Sequence, residues 1–78
     1  MQLADLLVAV TGVGPGTSLV DKVKQIQGYV GAGDTTAACT ALNSFLGLVA
    51  AQNGKKLTAT QAASFTARAN GIKTALGC

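Results

Sequence analysis

The sequence has no histidine, no glutamate and no tryptophan, and charged residues make up only 12% of it. The absence of histidine removes the commonest general base and the commonest transition-metal ligand. Without glutamate the only carboxylates are Asp5, Asp21 and Asp34, which are too far apart in the chain to match a calcium loop. Two cysteines cannot complete a tetrahedral zinc site. We therefore expect no enzyme, no metal site and no cofactor.

Aromatic residues are also scarce, at 4%, whereas hydrophobic residues make up 49%. The core must therefore consist largely of alanine, valine, leucine and isoleucine. The net charge is only +3, and Lys55-Lys56 is the one basic doublet. Nucleic-acid-binding domains usually carry a basic stripe with interleaved aromatics, so we expect no nucleic-acid partner. No run of residues approaches the roughly 18 apolar positions of a membrane span.

What the sequence does contain is apolar spacing typical of helices, in four segments. We expect helices over about Gln2–Thr11, Leu19–Val30, Thr35–Asn53 and Ala59–Leu76. Glycine lies near the end of each segment, as is common at helix C-termini. Because the connections are short, neighbouring helices should be antiparallel. The sequence thus predicts an all-α, small antiparallel bundle of about four helices.

The third helix is apolar nearly all round, which predicts a central position in the bundle. Its main stripe should pack against the second and fourth helices, in a core that includes Ile26, Leu42, Phe45, Val49, Phe65 and Ile72.

Helix caps are expected at three places. Ser18 with Asp21 and Thr58 with Gln61 have the spacing of capping boxes, and Asp34 is an N-cap candidate.

Three glycines, Gly28, Gly47 and Gly71, fall inside the expected helices. A mid-helix glycine costs about 1 kcal/mol relative to alanine. These positions therefore predict close helix crossings, and the alternative is a slot for a ligand or peptide.

The two cysteines lie near the start of the third helix and just beyond the fourth. A helical hairpin about Gly54–Leu57 brings Cys39 and Cys78 towards each other, although Cys78 overshoots by about one turn at a rise of roughly 1.5 Å per residue. Gly77 would let the terminus fold back. An even cysteine count in a short exported chain is typical of a disulfide, so we expect a Cys39–Cys78 bridge. The alternative is two unpaired thiols, one of them buried.

From about Ser18 to Cys78 the sequence resembles the FIMAH domain, in the form found at the C-terminal end of exported actinobacterial proteins. The matching features are Leu42, Phe45, Leu46 and Val49, Gly54-Lys55-Lys56-Leu57, Gln61-Ala62-Ala63, and Ala69 with Ile72. The name-giving Phe-Ile-x-x-His stretch reads here as Phe45-Leu46-Gly47-Leu48-Val49, without the histidine. The resemblance implies a non-catalytic extracellular module of a larger protein, and it transfers no ligand and no functional residue.

Residues 1–78 are expected to form one helical-bundle domain. Met1–Asp5 does not have the pattern of a signal peptide. The chain is therefore expected to be either a piece excised from a larger exported protein, with Met1 added for expression, or a complete cytosolic protein. The resemblance favours the first, a protein that is secreted or on the cell surface.

The leading functional hypothesis is an accessory interaction or spacer module of a secreted or cell-surface bacterial protein. Its partners would be other domains of the parent protein, or an extracellular protein or glycan. Two other classes stay open, namely a small cationic bacteriocin-like helical effector and a carrier of an apolar ligand in the bundle core.

Three residues are candidates for an interaction surface. Tyr29 is the first, because exposed tyrosines are over-represented among interface anchors, and its alternative role is a ring lying half-buried across the bundle. Lys55 and Lys56 are the others, because they lie in the turn between the third and fourth helices.

Overall fold

In a computed structural model that describes residues 2–13 and 16–78, the chain forms four α-helices. They are α1 (Gln2–Val10), α2 (Ser18–Gly31), α3 (Thr35–Gln52) and α4 (Ala59–Leu76). The expected bounds differ from these by one residue at most, and the all-α prediction is confirmed. Three residues lie outside the described part of the chain, namely Met1, Gly14 and Pro15. The sequence suggests the last two as helix breakers.

The four helices occupy the corners of a bundle that measures 34 × 20 × 19 Å. Within the described part of the chain, α1 and α3 each pack against both α2 and α4, so α1 and α3 are diagonal to each other. The expectation that α3 is central is therefore wrong. Its outer face carries Thr36, Thr40, Ser44 and Gly47, which are exposed. The sequence of α3 reads as apolar on all sides because many of its side chains are small or only weakly polar. Such side chains do not need to be buried.

The core is formed by one stripe from each helix. The largest fully buried side chains are Phe45, Leu6, Leu19, Ile26, Leu42, Leu57, Val10, Val23 and Val49, and Phe65 and Ile72 are buried beside them. All six core residues expected from the sequence are therefore confirmed. No polar or charged side chain is buried among the described residues, so apolar packing is the main stabilising term in the interior.

The short connections between helices are held by backbone geometry and caps. Asp34 accepts a hydrogen bond from the Ala37 N–H (3.1 Å) and so caps α3, while its own N–H donates to the Tyr29 carbonyl (2.9 Å) and closes the end of α2. Gly33, with φ +76°, makes this reversal possible. One short segment thus ends α2 and begins α3.

The cap expected at the start of α4 is confirmed, with Thr58 and Gln61 forming a reciprocal capping box at 3.0 Å in each direction. The cap expected at the start of α2 is wrong. Ser18 is already helical, and the N-cap is Thr17, whose backbone is not extended and whose side chain makes no capping hydrogen bond. The Thr17 hydroxyl instead donates to the Asp21 carboxylate (3.0 Å).

Leu57 joins the core from the turn between α3 and α4. Its N–H donates to the Gln52 carbonyl (3.0 Å), its carbonyl accepts from the Gly54 N–H (2.8 Å), and its side chain is buried. It precedes the Thr58 cap, and the buried Ala62 occupies the position that pairs with it in a hydrophobic staple.

The mid-helix glycines do not mark close helix crossings where the surroundings are described. Gly28 and Gly47 are exposed, and a Cβ added at either position would meet no atom within 4 Å. Gly71 is exposed as well. The expected close helix crossing is thus wrong at Gly28 and Gly47, and the alternative of a ligand slot stays a prediction.

Replacing Phe45 with alanine should lower the free energy of unfolding by about 3–5 kcal/mol, because it leaves a cavity at the fully buried centre of the core. Denaturant unfolding followed by circular dichroism measures the change. Val8→Ala is the matched control, because Val8 is 76% exposed, and its effect should stay within about 0.5 kcal/mol. A loss below about 1 kcal/mol for Phe45→Ala would contradict the central role of this side chain.

Gly47→Ala should stabilise the protein by about 0.5–1 kcal/mol, because the methyl group enters open space and alanine is the better helix former. Gly33→Ala should destabilise it by about 1–2 kcal/mol, because Gly33 has a left-handed backbone conformation. Thermal unfolding of the two variants measures both changes in stability. A loss of stability in Gly47→Ala would contradict the prediction and indicate a packing role for that glycine.

Candidate functional site

The bridge between Cys39 and Cys78 joins the first turns of α3 to the residue that follows the Gly77 cap of α4. The Cα atoms of the two cysteines are 5.8 Å apart, within the normal range for a disulfide. Cys78 is exposed and Cys39 is half-buried. The expected pairing is therefore confirmed, and the alternative of two free thiols is wrong.

The end of α4 folds back as the sequence suggests. Gly77 has φ +82° and donates its N–H to the Thr74 carbonyl (3.2 Å), while the Cys78 N–H donates to the Lys73 carbonyl (2.9 Å). This pair of hydrogen bonds is a Schellman motif. It turns the chain towards α3 and removes the overshoot of about one turn, so that Cys78 reaches Cys39.

A second link between α3 and α4 lies one turn further along α3. The Lys73 ammonium donates to the Asn43 side-chain oxygen at 2.8 Å. This exposed hydrogen bond and the disulfide fix the antiparallel register of the two helices on the outer side of the bundle.

The candidate interaction residues do not form one surface. Tyr29 lies near the C-terminal end of α2, beside the start of α3, whereas Lys55 and Lys56 follow the C-terminal end of α3. From Ala37 to Gln52 the helix rises by roughly 22 Å, so the two groups lie at opposite ends of the bundle. Tyr29 is 39% exposed, and both lysines are exposed.

Tyr29 forms part of a shallow groove of about 270 Å³ between α2 and α3, here called the tyrosine groove. The side chains that line it are Lys22, Gln25, Tyr29, Ala37, Thr40, Ala41 and Ser44. On α2 the lining residues recur at i, i+3 and i+7, which places them on one face of the helix. That spacing is visible in the sequence, but the lining from α3 is not, because it depends on how the two helices are registered.

A larger open groove of about 480 Å³ runs between α3 and α4. Its lining consists mostly of alanines from both helices, with Val49, Asn53, Thr66 and Asn70. The small side chains explain why the surface is concave here. No charged group lines this groove.

The titratable groups of the described residues are dispersed. Two carboxylates have structural hydrogen bonds, Asp21 with the Thr17 hydroxyl and Asp34 with the Ala37 N–H. Within residues 2–13 and 16–78, no three His, Cys, Asp or Glu side chains come together as a metal site would require. In the same part of the chain, no helix combines the length and apolar character needed to cross a membrane.

Comparison of the chain with profiles of known protein families, with curated proteins and with solved structures gives no significant match. The resemblance to the FIMAH domain therefore stays a prediction.

Removing the bridge by Cys39→Ser with Cys78→Ser should lower the free energy of unfolding by about 4 kcal/mol, because the bridge closes a long loop in the unfolded chain. Denaturant unfolding under oxidising and reducing conditions measures the loss. The reductant should destabilise the wild-type chain and leave the double serine variant unchanged. Two thiols that react in the native, unreduced protein would contradict the bridge.

Proposed function

We propose that the chain is a non-catalytic accessory interaction module of a secreted or cell-surface bacterial protein. The observation that carries the proposal is the Cys39–Cys78 bridge between the ends of two packed helices. Disulfides persist in oxidising compartments and are rare where thiol reductants are abundant. A small helical bundle with a modest core gains most from such a staple outside the cell.

The distribution of polar groups supports binding more than chemistry. The interior of the described residues holds no polar side chain, and Asp21 and Asp34 are engaged in local hydrogen bonds. General acid–base and nucleophilic catalysis need a base within hydrogen-bond reach of a reacting group. The sequence offers no histidine and no glutamate for that role.

A binding role is favoured over a plain spacer because of Tyr29. A spacer needs only length and stiffness, whereas this surface has an open groove with a partly exposed aromatic ring. Tyrosine provides a large, rigid contact surface with a polar tip, which is why it is common at interfaces. The resemblance to the FIMAH domain points to the same kind of module.

The proposal is tested in two steps in the producing bacterium. First, thiol alkylation of intact cells and of the culture medium should find the chain outside the cytoplasm with both cysteines blocked by the bridge. Second, the purified oxidised chain, immobilised, should retain a component of the cell envelope, and retention should fall when the chain is unfolded by reduction and denaturant.

Two results would contradict the proposal. A chain found in the cytoplasm with two alkylated cysteines would remove its extracellular setting. If no envelope component is retained, and deletion of the segment leaves the parent protein's activity, export and location unchanged, the chain is only a spacer. The double variant Lys55→Ala with Lys56→Ala tests whether the turn between α3 and α4, at the other end of the bundle from Tyr29, contacts the retained component.

A further inference from the structure

The tyrosine groove has the layout of a small ligand site. Because α2 and α3 are antiparallel and joined by a short turn, Lys22 lies near Ser44 at one end of the groove and Tyr29 lies near Ala37 at the other. The lining residues of α2 run from Lys22 to Tyr29, which is seven residue steps or about 10 Å along the helix axis. Ala37 and Ala41 form the floor, and their small side chains leave room beside the tyrosine ring.

The polar groups around the groove offer both donors and acceptors. The Lys22 ammonium donates to the Gln25 side-chain oxygen at 3.3 Å and keeps two further protons for a ligand. That interaction leaves the amide nitrogen of Gln25 as a free donor. Thr40 and Ser44 donate their hydroxyl protons to backbone carbonyls one turn earlier, which leaves their oxygens as acceptors. Tyr29 makes no side-chain hydrogen bond within the described residues.

This mixture matches a sugar better than it matches a peptide. Sugar hydroxyls both donate and accept, and the apolar face of a sugar ring packs on an aromatic side chain. An extended peptide would need a free sheet edge, an amphipathic helix would need a hydrophobic groove, and a proline-rich segment would need several aromatic side chains. The tyrosine groove provides none of these, since its lining has one aromatic ring, two alanines and four polar side chains.

The charge of the lining residues further restricts the chemical class of the ligand. Lys22 is the only charged residue in the groove, and no carboxylate lines it. A lysine in such surroundings favours a ligand with a negative group, because charge-assisted hydrogen bonds are about twice as strong as neutral ones.

We propose that the tyrosine groove binds a short acidic saccharide, with a sugar ring on Tyr29 and a carboxylate at Lys22. This inference rests on the proposed function, and it names the class of ligand. The groove is shallow and open, so binding is weak, with a dissociation constant on the order of 0.1–1 mM.

The test is a titration of the oxidised 78-residue chain, followed by NMR of its backbone amides. The probe is a tetrasaccharide of alternating uronic acid and N-acetylhexosamine units. The control ligand is the same tetrasaccharide with its carboxyl groups reduced to alcohols. Amide shifts should concentrate between Lys22 and Tyr29 and between Ala37 and Ser44. The carboxyl-reduced ligand should bind about tenfold more weakly.

Four variants separate the contributions. Tyr29→Ala should weaken binding by about tenfold, and Tyr29→Phe should retain most of it, because the ring rather than the hydroxyl carries the stacking. Lys22→Gln should remove the preference for the acidic ligand. Lys24→Gln is the matched control, since Lys24 is exposed on the same helix outside the groove, and it should bind as the wild type does. All four should melt within a few degrees of the wild type.

The outcomes distinguish this inference from the proposed function. Equal losses in Lys22→Gln and Lys24→Gln would mean unspecific attraction and would overturn the site. A short acidic peptide that binds in the groove while the saccharide does not would overturn the ligand class and leave the proposed function standing. If the immobilised chain retains an envelope component but the saccharide causes no amide shifts in the groove, the inference about the groove is overturned and the proposed function still stands. If neither the saccharide nor any envelope component binds, both proposals fail.

Discussion

The packing of α3 between α2 and α4 is the constraint on which the other features depend. Phe45, in the middle of α3, is fully buried in the core that all four helices share. Once this side chain is in place, one edge of α3 faces α2 and its other edge faces α4. The first edge contributes the floor of the tyrosine groove, and the second carries Cys39 and Asn43, which meet Cys78 and Lys73. A shift of α3 by one turn would displace both arrangements together.

Features that depend on a single helix or on a short segment were predictable from the sequence. The core stripe of Phe45, Leu42 and Val49 follows from helical spacing, and the capping box at Thr58 follows from a three-residue pattern. The disulfide was predictable because a hairpin with a short turn leaves few ways to place Cys39 and Cys78. For the core stripe and the capping box, local geometry decides the outcome before tertiary packing does, whereas the bridge also depends on the short hairpin that joins α3 to α4.

Apart from the bridge, features that depend on how two helices are registered were not predictable. The tyrosine groove forms because Ala37 and Ala41 happen to face Tyr29, and no pattern within α2 or α3 alone contains that information. The position of α3 at a corner was missed because threonine and alanine tolerate both exposed and buried surroundings. Leu57 was missed as a core residue because turn residues are usually at the surface. The cap at Ser18 was misplaced because the backbone of Thr17 decides which residue begins the helix.

The position of the bridge also determines how the chain responds to tension. The covalent loop contains residues 39–78, so it includes most of α3 and all of α4 but none of α1 or α2. If the chain is pulled at its first and last residues, the disulfide bond transmits the force directly from Cys78 to Cys39. Only the segment before Cys39 is then under tension. That segment extends to about 130 Å at most, roughly half the contour of the whole chain. Such a domain would lengthen under load and then stop, because the bridge holds the rest of the chain in a covalent loop.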